Sequence, residues 1–281
     1  MAEVPFRRDP TYRPIISVAR GVFAGLGIRF DIVGAEHIPL EGGALLAINH
    51  TSFLDFALAG VPADRRGKRL VRFMAKDSVF THPVAGPLMR GMRHIPVDRE
   101  HGSQSFRDAV TYLRAGELVG IFPEATMSRS MDIKDIKSGA VRIAVAAKVP
   151  LIPMCVFGGA RIMSYGHRDL SRGTLVAITV GEPMEVQRGE DAELAAERLR
   201  TRMRELLDET VARYPFEGSP WWVPARLGGS APTIAQAEEL DRQARAARAA
   251  KKAAKGAKRG KRGTQSSGQL PPGEPPDQAG G

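Results

Sequence analysis

The sequence predicts an α/β fold: a mixed, largely parallel sheet covered by helices. Three observations carry that expectation. Apolar runs such as Ala44–Asn49, Leu118–Phe122 and Leu151–Phe157 have strand length and are bounded by glycine or proline. Between such runs lie stretches with apolar residues at helical spacing, Ser103–Ala115 among them. A chain of 281 residues with 43% hydrophobic content can also bury one large core, which a disordered protein could not.

In chain order, Pro14–Ile28 places Ile15, Val18, Ala19, Val22, Phe23 and Leu26 on one helical face. That face suits a membrane interface or the body of the protein equally well. Phe30–Val33 and Ala44–Asn49 read as strands, punctuated by Gly34 and the pair Gly42-Gly43. A helix is expected to begin over Ser52–Ala59, with Thr51 or Ser52 near its cap. Leu70–Ala75 and His94–Val97 are further strands, with a short helix over Val84–Met92 between them. Ser103–Ala115 forms an amphipathic helix that stops at Gly116, and the strand Leu118–Phe122 runs straight into Pro123. Gly139–Ala147 is helical, and Leu151–Phe157 and Leu175–Val180 are strands. Asp191–Arg213 is a long helix with Leu194, Leu199, Met203, Leu206 and Leu207 on its inner side. The implied organisation is an interfacial helix over residues 1–29, a main folded body over 30–229 and a basic tail over 230–281.

The net charge of +10 is concentrated near the end of the chain: Arg242 to Arg262 holds ten Lys/Arg and no Asp/Glu. Their near-helical spacing among alanines would make a basic stripe for anionic lipid or nucleic acid. Gly256, Gly260 and Gly263 weaken a helix there, and residues 264–281 are rich in Pro, Gly, Gln and Ser. The expectation is a disordered basic tail with weak membrane affinity. No window reaches the roughly 18 apolar residues of a spanning helix, and no small-residue cleavage site marks a secretory signal. The lone Cys155 excludes an internal disulfide and falls inside an apolar strand, where a core role outweighs a nucleophilic one. The six histidines show no metal-ligand spacing.

Four segments carry chemistry. In Asn49-His50-Thr51-Ser52-Phe53-Leu54-Asp55, a histidine and a carboxylate lie five residues apart. On one continuous helix they would point about 140° apart, since each residue advances about 100°. They meet only if His50 ends a strand and Asp55 opens the next helix. Asp55 would then fix the imidazole tautomer and leave the other nitrogen basic. The plain alternative is a helix-terminal acid beside a strand-end histidine. His94-Ile95-Pro96-Val97-Asp98-Arg99 ends in a guanidinium suited to phosphate or to a surface ion pair. Phe122-Pro123-Glu124-Ala125-Thr126-Met127-Ser128-Arg129 places Glu124, Thr126, Ser128 and Arg129 just past a buried strand, as substrate ligands or as a capping loop. Val149-Pro150-Leu151-Ile152-Pro153-Met154 stiffens a strand start and holds no reactive group.

In this order the four segments resemble the motifs of the glycerolipid acyltransferases, best known as lysophosphatidate acyltransferases. Asn49–Asp55 is similar to their NHxxxxD motif, and Phe122–Ser128 to Phe-Pro-Glu-Gly-Thr-Arg-Ser. His94–Arg99 and Val149–Met154 resemble the second and fourth motifs, so the match spans roughly residues 30–185. Ala125 replaces a glycine and Met127 an arginine. Either Arg129 takes over the lost phosphate contact, or the acceptor is not a simple glycerol phosphate.

The resemblance implies transfer of a fatty acyl group from acyl-CoA or acyl carrier protein to the hydroxyl of a lysophospholipid. His50 and Asp55 would be catalytic, and Arg99, Glu124, Thr126, Ser128 and Arg129 would bind the acceptor, without metal or other cofactor. The product would be phosphatidate, for phospholipid synthesis. The enzyme would sit at the cytoplasmic face of a membrane, peripheral or monotopic, on an anionic surface. Another lysophospholipid or a glycolipid is the alternative acceptor. Nucleic-acid binding through the basic tail is the rival from another class, and it leaves the motif series unexplained.

Overall fold

The computed structural model describes residues 9–98 and 102–264. The chain divides into two compact units, Met1–Ile234 and Ala235–Gly281. The first is built on β1 (Arg29–Val33), β2 (Ala44–Ile48), β3 (Val71–Lys76), β4 (Ile95–Val97), β5 (Leu118–Ile121), β6 (Leu151–Phe157) and β9 (Leu175–Val180). Their order across the sheet is β1-β9-β6-β2-β5-β3-β4. Every pairing is parallel except β6 with β9, so the mixed, largely parallel sheet is as expected.

Successive residues of each central strand face opposite cores, the two-residue period of a sheet buried on both sides. Leu45, Ala47, Leu151, Cys155 and Ala177 join one cluster with α5 (Ser103–Arg114), α6 (Gly139–Ala147) and α7 (Ala192–Arg213). Ala44, Leu46, Ile48, Ile152, Met154, Val156 and Ile178 join the other with α2 (Asp55–Gly67) and Phe23 of α1 (Tyr12–Gly25). Pro153 is tolerated inside β6 because its missing N–H falls beyond the end of the β9 ladder, opposite Gly181. Helix α1 is pinned at its start: the Tyr12 hydroxyl donates to the carbonyl of Val71 at 2.7 Å and Tyr12 is buried. Its Val18 and Val22 remain exposed.

The structure departs from the sequence reading at several places. Helix α2 opens at Asp55, three residues after Ser52, because residues 51–54 turn around the Asp55 carboxylate. The stretch read as one helix at Val84–Met92 is preceded by a short α3 (Asp77–Phe80), and α4 covers Ala85–Gly91. A two-residue hairpin, β7 (Met163–Ser164) with β8 (His167–Arg168), is added. Leu194 points outward; the inner face of α7 is Ala195, Leu199, Met203, Leu206 and Leu207. The disordered tail expected from residue 230 is corrected for Ile234–Thr264, which is one helix, α8. Its alanines, arginines and lysines are strong helix formers, and each glycine costs only about 1 kcal/mol against alanine. Residues 265–281 lie outside the described residues.

Candidate active site

The carboxyl ends of β2, β3 and β5 share one edge of the sheet, where sites collect in folds of this kind. At the end of β2, the Asn49 side chain extends the ladder to β6. It accepts from Val156 N–H at 2.7 Å and donates to Val156 C=O at 3.1 Å. This anchor sets the direction of His50. Because β2 stops at Ile48 and α2 starts at Asp55, the two side chains converge as the spacing argument required. Nδ1 of His50 lies 2.9 Å from Oδ2 of Asp55. The same oxygen accepts Thr51 N–H and Ser52 N–H, each at 2.7 Å. Its other oxygen, Oδ1, is buried without a partner, and Gly159 packs against it where a Cβ would stand 3.4 Å away. Asp55 is fully buried, while His50 is 25% exposed. With Nδ1–H committed to Asp55, Nε2 is the basic nitrogen. Below it the imidazole stacks on Phe122, centroids 4.4 Å apart.

The loop after β5 grips the main chain of His50. Its N–H donates to Glu124 Oε1 at 3.0 Å, and its carbonyl accepts from Ser128 N–H at 2.6 Å. Glu124 also accepts Lys134 N–H at 3.2 Å. Burial pushes Glu124 up to about 7, against the pull of the Lys134 ammonium and the two N–H donors. Lys134 Nζ donates to both oxygens of Thr126, at 2.9 and 2.7 Å. Ala125, standing where the resemblance implies glycine, keeps a left-handed backbone at φ 60°.

Of the residues expected at the site, His50, Asp55, Glu124 and Ser128 form one hydrogen-bonded group, and Thr126 joins it through Lys134. Glu124 and Ser128 are occupied with protein rather than aimed outward: the Ser128 hydroxyl donates to Asp132 C=O and meets the Ser130 hydroxyl, each at 2.9 Å. Met127 is buried too, so its position offers nothing to a phosphate. Arg129 lies 4.0 Å over the ring of Tyr165, which meets Phe53 edge-on. Arg99 lies outside the described residues. Sequence reasoning assigned no role to Asn49, Phe122 or Gly159. Asn49 and Phe122 stand inside the quoted motifs, and the pair Gly158-Gly159 was a visible signal of close approach. Cys155 is no rival nucleophile: it is buried in β6, and burial pushes its thiol up to about 12.

A cavity of about 580 Å³ opens between α1, α2 and the sheet, and neither His50 nor Asp55 lines it. Its walls are largely apolar, with Ile15, Ile16, Phe23, Phe30 and Val61 among them, and Phe56 adjoins Asp55 in sequence. That volume is within the range of roughly 300–1,000 Å³ usual for small-molecule sites.

Residues 29–157 match the protein family described as Acyltransferase. A 1-acyl-sn-glycerol-3-phosphate acyltransferase of Bacillus subtilis (strain 168) is 29% identical over 184 residues, covering 64% of this chain and 85% of that protein. The chloroplastic 1-acyl-sn-glycerol-3-phosphate acyltransferase LPAT1 of Arabidopsis thaliana is 26% identical over 71% of this chain, which spans only 56% of the plant protein. The fold is similar to the crystal structure of the 1-acyl-sn-glycerophosphate acyltransferase of Thermotoga maritima. The TM-score is 0.57 at 22% identity, over 73% of this chain and 81% of that one.

Proposed function

Because this chain belongs to the glycerolipid acyltransferase family, we propose that it moves a fatty acyl group from a thioester donor to the free hydroxyl of 1-acylglycerol-3-phosphate, giving phosphatidate for phospholipid synthesis. The observation that carries this reading is a partly open imidazole held by a buried carboxylate at the sheet edge. Nε2 of His50 takes the proton of the acceptor hydroxyl as its oxygen attacks the thioester carbonyl. Asp55 keeps the ring oriented and stabilises the imidazolium. The tetrahedral intermediate then collapses, the C–S bond breaks, and the imidazolium returns its proton to the leaving thiolate. The acyl group passes directly from donor to acceptor, in a ternary complex, with no cofactor beyond the donor. Acyl-CoA and acyl carrier protein both satisfy this chemistry.

Thr126, Lys134 and Arg129 are the polar groups on the loop that support acceptor binding, while Glu124 and Ser128 act by holding His50. No helix among the described residues is long and apolar enough to cross a membrane. The exposed Val18 and Val22 of α1 support peripheral placement on a membrane. We take that surface to be anionic and at the cytoplasmic face. A panel of acceptors with labelled acyl-CoA and acyl carrier protein tests the proposal. Lysophosphatidate is expected to give the highest kcat/KM. A clear preference for a phosphate-free or differently substituted lysolipid would replace the acceptor, and no transfer to any lysolipid would overturn the reading.

A further inference from the structure

We infer that the α3–α4 hairpin, residues 76–93, is a second membrane-docking element that seats the cavity mouth on an anionic bilayer. The inference rests on the lipid-acceptor reading above, because a lipid substrate resides in a bilayer. The hairpin has two faces. On its inner side, Phe80 and Met89 pack with Tyr12 and Met92, and with Ile15 and Ile16 of α1. Gly86 lies so close to the Phe80 carbonyl that an added Cβ would stand 2.2 Å from it, and Arg90 donates to that same carbonyl. The ring of His82 caps the turn, accepting Val84 N–H and Ala85 N–H at 3.3 and 3.2 Å. These contacts make the hairpin a fixed support, with its share of core already filled.

Its outer side is nonetheless apolar. Val84 is 68% exposed and Leu88 44%, with Val79, Pro83 and Pro87 exposed around them. Lys76, Arg90 and Arg93 flank this tip, and Asp77 is the acid among them. Apolar tips with a cationic rim fit the boundary between headgroups and acyl chains of an anionic bilayer. Position supports the same occupant. Lys76 ends β3 at the sheet edge that also carries His50 after β2 and Phe122 after β5. Moreover Tyr12, Ile15, Ile16 and Met92 lie under the hairpin on one side and wall the cavity on the other. The hairpin and the cavity therefore share these four side chains as one wall.

The test uses the full chain carrying Val84→Cys or Leu88→Cys, labelled with an environment-sensitive fluorophore. The native Cys155 is buried and stays unlabelled. On sedimenting vesicles of phosphatidylcholine with a minority of phosphatidylglycerol, both probes are expected to brighten severalfold and shift to the blue. A probe at Leu194→Cys, exposed on α7, stays unchanged. The combined Val84→Asp and Leu88→Asp variant should need on the order of tenfold more lipid for half-binding, a difference of one decade in Kd. Its turnover of a water-soluble short-chain lysolipid should match the parent. A hairpin probe that stays in water on sedimented protein, or an unaltered lipid dependence, overturns the docking element and leaves the face to a protein partner. Loss of short-chain turnover in the parent itself would instead overturn the acyltransferase reading.

Discussion

Two histidines of this protein are joined by two phenylalanine rings and differ in almost everything else. His50 stacks on Phe122 at 4.4 Å, Phe122 on Phe73 at 6.2 Å, and Phe73 meets His94 at 5.7 Å. His50 is partly open and has a carboxylate on Nδ1. His94 is buried, accepts Phe73 N–H on Nδ1 at 3.0 Å, and has the buried Arg72 guanidinium as its charged neighbour. Burial, with Arg72 adding to it, pushes His94 down to about 3. Arg72 in turn is held by Asp9 at 2.8 Å and by Glu117 at 3.5 Å, and Tyr12 lies beneath it. The same side chain is thus oriented by a carboxylate and open to solvent at one end of the ladder, as the proposed base requires, and a buried structural acceptor at the other. The sign of the nearest charge and access to solvent separate the roles.

The sharpest way to break this comparison is to remove each imidazole in turn. His50→Ala should lower kcat by about 10²–10⁴-fold, the usual worth of a positioned base, with little change in unfolding free energy. Asp55→Asn should fall in the same range by failing to hold the tautomer and the imidazolium. His94→Ala should do the reverse: it strands Phe73 N–H in the core, costing about 1–3 kcal/mol in urea unfolding, while kcat stays within a few-fold. A folded His50→Ala enzyme with parental turnover would end the assignment of the base.

How far these roles could be read in advance follows from the distance over which each is determined. The strands were legible because both sheet faces are buried, which makes Leu45–Ile48 and Leu151–Phe157 nearly uninterrupted apolar runs. The dyad was legible because its five-residue spacing has one workable geometry. By contrast, nothing within Arg93–Val97 announces that His94 will face Arg72, since the partners of Arg72 come from Asp9 and Glu117, far apart in the chain. Glu124 looked like a ligand for the same reason: its motif position is local, but its burial against His50 and Lys134 is tertiary. In α8, glycine was given too much weight against a background of alanine and arginine.

A smaller effect sharpens the comparison through pH. His94 has its ordinary value of 6.5 in the unfolded chain and about 3 when folded. The unfolded state therefore binds more protons, and stability is lost as pH falls from 6.5 toward 3. Glu124 runs the other way, from 4.5 unfolded to about 7 folded, so its contribution is lost as pH rises through that interval. Between pH 4.5 and 6.5 the two oppose each other, each with a slope of up to about 1.4 kcal/mol per pH unit. In unfolding measured across that interval, the folded state should become more favoured by low pH in His94→Gln, where only Glu124 remains, and more favoured by high pH in Glu124→Gln, where only His94 remains. Parallel profiles for the two variants would show that neither group titrates as its surroundings dictate.

The smallest effect concerns the loop that makes His50 what His94 is not. Ala125 holds φ 60° between Glu124, which takes His50 N–H, and Thr126, whose N–H donates to Glu124 C=O at 2.8 Å. A left-handed backbone costs a residue with a Cβ about 1–2 kcal/mol, and glycine escapes that penalty. Glycine also frees the unfolded chain, which returns part of the gain. Ala125→Gly should therefore raise the unfolding free energy by about 0.5–1 kcal/mol and leave kcat unchanged, because the turn and the grip on His50 are kept. If the variant is destabilised instead, the left-handed turn is not the conformation that holds the base. His50 would then owe its placement to Asn49 and Asp55 alone.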